Sequence, residues 1–203
     1  MSKPFSQACE NNKDPILDCL RPLYPAGARV LEIGSLTAQH VCHFAAQMLE
    51  VQWQPSETPG NLATLQDGLA DCTLPNIAAP LVLDVTQESW PVDRVDGVFS
   101  ANTLHIMPLA AVEDFFRGVG RVLRPGGLLC VYGPFNYQGQ FTSASNARFD
   151  AWLKERDARS GIRDAEQIDA WAAAQGLDLV ADNAMPANNR VRVWQRRGRD
   201  ETA

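Results

Sequence analysis

The sequence predicts an α/β protein: a doubly wound, mostly parallel sheet of seven strands, helices on both faces, and an antiparallel hairpin at the C-terminal end. Three observations predict it. Short apolar, β-branched runs alternate with amphipathic stretches from residue 28 to residue 133, the pattern of strands joined by crossover helices. The first run ends at a glycine that leads into a helix, the turn used by nucleotide-binding βαβ units. Beyond residue 176, two apolar runs flank the turn-forming Met185-Pro186-Ala187-Asn188-Asn189, which folds them back on each other.

Asp14-Pro15, followed by Ile16, Leu17, Leu20 and Leu23, predicts an opening helix with Pro in its first turn, where the missing N–H costs nothing. Ala28 to Ile33 is the first strand. Gln39 to Leu49 then places Val41, Phe44, Ala45 and Met48 on one helical face. Val51 to Pro55 is a strand, Asn61 to Leu69 a helix, and Pro80 to Val85 and Val95 to Ser100 are the third and fourth strands. Ala111 to Leu123 carries Val112, Phe115, Phe116 and Val119 at helical spacing, and Arg124-Pro125-Gly126-Gly127 stops it. Leu128 to Tyr132 is the fifth strand. Helices follow at Ser145 to Arg156 and at Asp164 to Gln175, the second closed by Gly176. Leu177 to Ala181 and Val191 to Gln195 form the hairpin, and residues 198–203 are a frayed polar tail.

At 203 residues, 45% of them hydrophobic, the chain has the material for one domain, whose core needs neither disulfides nor metal. Eighteen Lys+Arg against 24 Asp+Glu leave a net charge of −6, which repels polyanions, so nucleic acid is not an expected partner. Without a signal-like apolar segment or a membrane-length run, the expected location is cytoplasmic, with no membrane partner. The five cysteines never form C-x-x-C and the histidines complete no ligand spacing, so reduced thiols and no metal are expected. Oligomeric state is left open. Arg190, Arg192 and Arg196 alternate with Val191 and Val193 and, with Arg197 and Arg199, read as a solvated basic face and tail.

In an open α/β sheet, ligands bind beyond the carboxyl ends of the strands. Glu57 follows Gly34 by about twenty residues, the interval at which an acid ending the second strand accepts hydrogen bonds from a ribose diol. Asp84 ends the third strand beside the same crevice. Its carboxylate either accepts an adenine amino hydrogen or caps the next turn.

LEIGSLTAQH, the PSE after the second strand, LDV, FSANTLHIM and LRPGGLL, in that order, resemble the ordered motifs of the class I S-adenosylmethionine-dependent methyltransferases. FSQACENNKDPIL, WPVDRVDGVFSANTLHIMP, YGPFNYQGQFTSASNARFDAWL and MPANNR are similar, over nearly the whole chain, to a small methyltransferase-like family catalogued as a domain of unknown function. The resemblance implies a Rossmann-like methyltransferase fold and S-adenosylmethionine as cofactor. It divides the chain into an N-terminal helical segment (1–27), a cofactor-binding core (28–133) and acceptor-side helices and hairpin (134–197). It also implies that Glu32 lies near the methionine amino group, that Gly34 and Ser35 pass under the methionine moiety, and that Val85 flanks adenine; the alternatives are a strand-end carboxylate satisfying loop N–H groups for Glu32 and an ordinary core residue for Val85. One departure stands out: Leu36 and Ala38 occupy positions where the family pattern has glycine. Left-handed backbone at a non-glycine residue costs roughly 1–2 kcal/mol, about tenfold in binding if unrelieved.

An acceptor with a transferable proton needs a base, and His105, just past the fourth strand, is the candidate; the alternative is a histidine packing the following helix start. Asn102 either hydrogen-bonds the methionine end of the cofactor or closes the turn. Phe135, Asn136 and Tyr137, with Asn188 and Asn189, either wall a pocket for a small-molecule acceptor or are ordinary loop packing and turn residues. Lys13 either folds over the site or is an exposed helix-start lysine, and His40 and His43 are expected to be structural or surface residues. The leading function is methyl transfer to a small molecule. The rivals are a non-catalytic member acting through protein partners and a cofactor-bound enzyme of non-methylating chemistry. A dinucleotide dehydrogenase is disfavoured, because GSLTAQ supplies one of the three glycines a pyrophosphate turn uses.

Overall fold

The computed structural model describes residues 4–198. Its centre is a seven-stranded sheet of order β3-β2-β1-β4-β5-β9-β8. The strands are β1 (Arg29–Ile33), β2 (Gln52–Glu57), β3 (Leu81–Val82), β4 (Val95–Ala101), β5 (Leu123–Gly133), β8 (Leu177–Met185) and β9 (Asn189–Arg196). The first five run parallel, and β9 is antiparallel to both β5 and β8. Two residues each of β6 (Phe135–Asn136) and β7 (Arg163–Asp164) pair in a separate small sheet.

Strand alternation divides the core between two faces. Val30, Phe99, Cys130 and Val193 point toward α1 (Gln7–Leu20), α2 (Gln39–Gln47) and α3 (Leu62–Leu69), which contribute Ile16, Leu20, Val41, Phe44 and Leu65. Leu31, Val98, Leu129 and Trp194 face α4 (Leu109–Val122) and α6 (Ala165–Ala174), which contribute Val112, Phe115, Phe116, Val119 and Ile168. The remaining helix, α5 (Ala144–Arg156), buries little and carries Asn146, Asp150 and Leu153 inward. No described helix is long and apolar enough to cross a membrane.

Several local expectations are corrected. The opening helix starts at Gln7, because the Ser6 hydroxyl accepts the Cys9 N–H (3.3 Å) as an N-cap; Pro15 therefore lies in the helix interior, not in its first turn. The third strand shrinks to Leu81–Val82, and Asp84 falls in the following loop. Arg124-Pro125-Gly126-Gly127 does not separate helix from strand: β5 starts at Leu123, and these residues form an irregularity between the pairs Val95↔Leu123 and Gly97↔Leu128. Arg192 is not solvated. It is 2% exposed, 2.9 Å from the Asp169 carboxylate on α6, and 3.3 Å from Asp182 Oδ2. At Arg192 the basic face of β9 is thus covered by α6, whose Asp169 also accepts the Trp194 indole N–H (3.0 Å), while Arg190 pairs with Asp182 of β8 (2.7 Å). Arg199 and most of the expected tail lie outside the described residues.

Candidate active site

From β1 the chain winds outward to β2 and β3, then returns to β4 on the other side of β1. Loops diverge at that reversal and leave a crevice beyond the strand ends. Ser100 Oγ donates to Ile33 O (2.8 Å) and meets Thr103 Oγ1 (2.7 Å), which ties the loop after β4 to the end of β1. Gly34 is required here: its φ is +80°, and a Cβ would come within 2.6 Å of Thr103 Cγ2.

The loop from Gly34 to Ala38 is held by β2. Gly34 and Ser35 N–H groups both donate to Ser56 O (3.1 Å), Ser56 Oγ donates to Glu32 O (2.7 Å), and Leu36 N–H donates to Glu57 Oε2 (3.0 Å). Leu36 (φ 37°) and Ala38 (φ 59°) adopt the left-handed backbone that glycine favours, so the loop keeps its glycine-type path and carries the strain.

Around this loop opens a cavity of about 1110 Å³. Gly34, Ser35, Glu57, Asp84, Val85, Asn102, His105, Asn188 and Asn189 all line it. Glu57 is buried, and its Oε1 also accepts the Thr58 N–H (2.8 Å). Asp84 accepts the N–H and hydroxyl of Thr86 (3.0 and 2.8 Å), so it makes the local cap as well as facing the crevice. Asn102 closes its turn at φ 59°, its N–H donating to Tyr132 O (2.8 Å). Glu32 lies beneath the lining, 2% exposed, with Oε2 lacking any hydrogen-bond partner. Burial pushes its carboxyl up to about 7 against a Ser35 hydrogen bond, and the Glu57 charge adds to the rise.

His105 is 5% exposed, edge-on to Phe149 at 5.2 Å. Burial, reinforced by the nearby Arg163 charge, pulls its imidazole down to about 4. It is therefore neutral at physiological pH and a weaker base than a solvated histidine.

Three expected wall residues are elsewhere. Phe135, Asn136 and Tyr137 do not line the cavity, because pairing of β6 with β7 turns this segment away from the crevice. Phe135 is core, and the Tyr137 hydroxyl donates to Asp182 (2.7 Å). Lys13 pairs with Glu10 and is likewise absent from the lining.

In their place, α1 brings Cys9 and Asn12, α5 brings Asn146, Phe149 and Trp152, and β5 brings Tyr132. His40, expected to be structural or at the surface, lines the cavity and sits 2.7 Å from Asn12 Oδ1. The Ser6 cap, three residues before Cys9, was the available sequence signal for α1. For Tyr132 it was the strand-end position. The described cysteines form no disulfide, and no described cluster of His, Cys, Asp and Glu could hold a metal.

The residues present fit an adenosine-type ligand. One carboxylate at the end of β2 and one after β3 face the crevice, and the Glu32 carboxyl beneath it retains an unpartnered oxygen.

Residues 3–196 match the family model described as protein of unknown function (DUF938). Among solved structures, the chain is similar to an O-methyltransferase family protein from Burkholderia thailandensis (TM-score 0.82, 12% identity, 95% of this chain and 58% of that one). It is also similar to an O-methyltransferase family 2 protein from Planctomyces limnophilus, solved with apigenin (0.77, 12%, 93% and 60%). A third is human N-acetylserotonin methyltransferase, solved with S-adenosylmethionine (0.77, 12%, 94% and 53%). The chain spans little more than half the length of these proteins, and the likeness is one of fold, the Rossmann-like methyltransferase fold.

Proposed function

Since the chain belongs to the DUF938 family of proteins of unknown function and carries a crevice whose two carboxylates, Glu57 and Asp84, fit an adenosine-type ligand, we propose that it is an S-adenosylmethionine-dependent methyltransferase acting on a small molecule. The observation that carries this reading is the meeting of the Glu57 carboxylate with the Gly34–Ala38 loop at the sheet's reversal point. The human N-acetylserotonin methyltransferase of the same fold was solved with that cofactor.

Glu57 would accept the ribose hydroxyls, Asp84 and Val85 would hold the adenine edge and face, and Asn102 with the loop backbone would hold the amino-acid end. Glu32 would lie under that end as a buried carboxyl. When bound, the cofactor supplies an electrophilic sulfonium methyl group. The protein's task is then orientation, which can contribute about 7–11 kcal/mol to lowering the barrier. His105, neutral and in an apolar setting, accepts a hydrogen bond from a protic acceptor and takes its proton as methylation acidifies it, without deprotonating it beforehand.

Calorimetric titration with S-adenosylhomocysteine tests the reading. Micromolar affinity is expected, weakened about tenfold or more in Glu57→Ala, which removes a charge-assisted acceptor. His105→Ala should keep that affinity and lower turnover. No binding at millimolar ligand would refute the reading. It would favour a partner-binding role without catalysis, for which the side chains at Leu36 and Ala38 are the supporting observation.

A further inference from the structure

The cavity exceeds the roughly 300–1,000 Å³ of ordinary small-molecule sites, leaving space beyond one nucleoside. Its charges are unevenly placed. Among the described lining residues, the only carboxylates are Glu57 and Asp84, both on the β2–β3 side, and there is no lysine or arginine at all. The opposite half is walled by His105 to Pro108, one face of α5, Tyr132, and the turn from Pro186 to Asn189. No charged side chain lines it; Arg163, whose charge bears on His105, spends its guanidinium on the carbonyls of Leu104 (3.0 Å), Met107 and Arg159 (3.1 Å), and an unpaired ion in such a setting is strongly disfavoured.

The polar groups on this side are largely engaged with one another. Asn146 Nδ2 donates to Thr142 Oγ1 (2.9 Å) and to Asn188 O (3.2 Å), and Asn188 Nδ2 donates to Ser145 Oγ (3.3 Å). They brace the turn against α5. The His105 imidazole takes no hydrogen bond from the described residues, and the Tyr132 hydroxyl lies beside the amides of Asn12 and Asn189. From His105 toward solvent runs a row of rings: His105 edge-on to Phe149, and Phe149 stacked on Trp152 at 5.8 Å and 18°. Trp152 remains 46% exposed at the end of that row. Arg156, whose guanidinium lies 4.6 Å from the Trp152 ring centroid, is not part of the lining.

We infer that this half of the cavity takes an uncharged molecule with a flat aromatic body, its ring against Phe149 and Trp152 and its polar group toward His105 and Tyr132. The inference rests on the proposed function for its division into cofactor and acceptor halves, and adds the acceptor's charge and shape.

Three probes sharing one ring system test it by calorimetry at pH 7.5, with and without S-adenosylhomocysteine: 2-naphthol, 2-naphthoate and 2-naphthylmethylammonium. 2-Naphthol should bind at least about tenfold tighter than either ion. Trp152→Ala should weaken it about fivefold, with Trp152→Phe restoring most of the loss and S-adenosylhomocysteine affinity unchanged in both variants. An ion binding as tightly as 2-naphthol, no binding by any probe, or 2-naphthol binding unaffected by Trp152→Ala and Phe149→Ala would overturn the inference. Loss of S-adenosylhomocysteine binding with the 2-naphthol preference intact would bring down the proposed cofactor and leave this site standing.

Discussion

Replacing Glu32 by Gln should change how stability depends on pH, by an amount set by the carboxyl's burial. The native carboxyl protonates at about 7, against 4.5 for the unfolded chain. Between those values the folded state holds the proton that the unfolded state has released. The stability this group contributes is therefore fully present below pH 4.5 and lost as pH rises through 7. At about 1.36 kcal/mol per unit, the loss between pH 5 and pH 8 is roughly 2–3 kcal/mol. Gln keeps the shape and removes the titration. His40 and His105, both pulled down to about 4 mainly by burial, impose the opposite slope between pH 4 and 6.5, but they do so in both proteins and cancel in the difference. Urea denaturation followed by tryptophan fluorescence should show Glu32→Gln gaining about 2–3 kcal/mol on the parent protein from pH 5 to pH 8. An equal difference at the two pH values would mean that Glu32 titrates as a solvated carboxylate, and the argument from its burial would fail.

Leu36→Gly relieves a left-handed residue worth roughly 1–2 kcal/mol and gives back about half through unfolded-chain entropy. Because Leu36 is 42% exposed, little packing is lost, and the melting temperature should rise by roughly 2 °C in a thermal scan; a fall would show that the side chain stabilises the loop. Gly68 on α3 has the reverse problem: a Cβ there would come within 2.4 Å of the Thr37 carbonyl oxygen. Gly68→Ala should cost roughly 1–3 kcal/mol in chemical denaturation and weaken S-adenosylhomocysteine binding by displacing the loop, whereas unchanged stability would show that α3 yields freely.

The sequence by itself determined the layered fold. Its evidence was local: β-branched runs such as Ala28–Ile33, the helical spacing of Val112, Phe115, Phe116 and Val119, and the asparagine-rich turn before β9 follow from backbone periodicity and turn chemistry within a few residues. The strand-end rule likewise placed Gly34, Glu57, Asp84, Asn102 and His105 where the cavity opens, because position along a strand fixes which edge of the sheet a residue reaches. Contacts between distant segments were another matter. That α1 crosses the crevice with Cys9 and Asn12 depends on its packing against α2 and on the Ser6 N–H donating to Gln39 Oε1 (2.6 Å), 33 positions away. Phe135 to Tyr137 left the site because β6 found β7, and Phe149 and Trp152 entered it because α5 folds back over the opening. Arg192 sat in an alternating pattern that reads as solvated, until α6 supplied Asp169. The burial that raises Glu32 and lowers His105 also depends on which elements cover them, so protonation, like the far wall of the cavity, was decided only by tertiary packing.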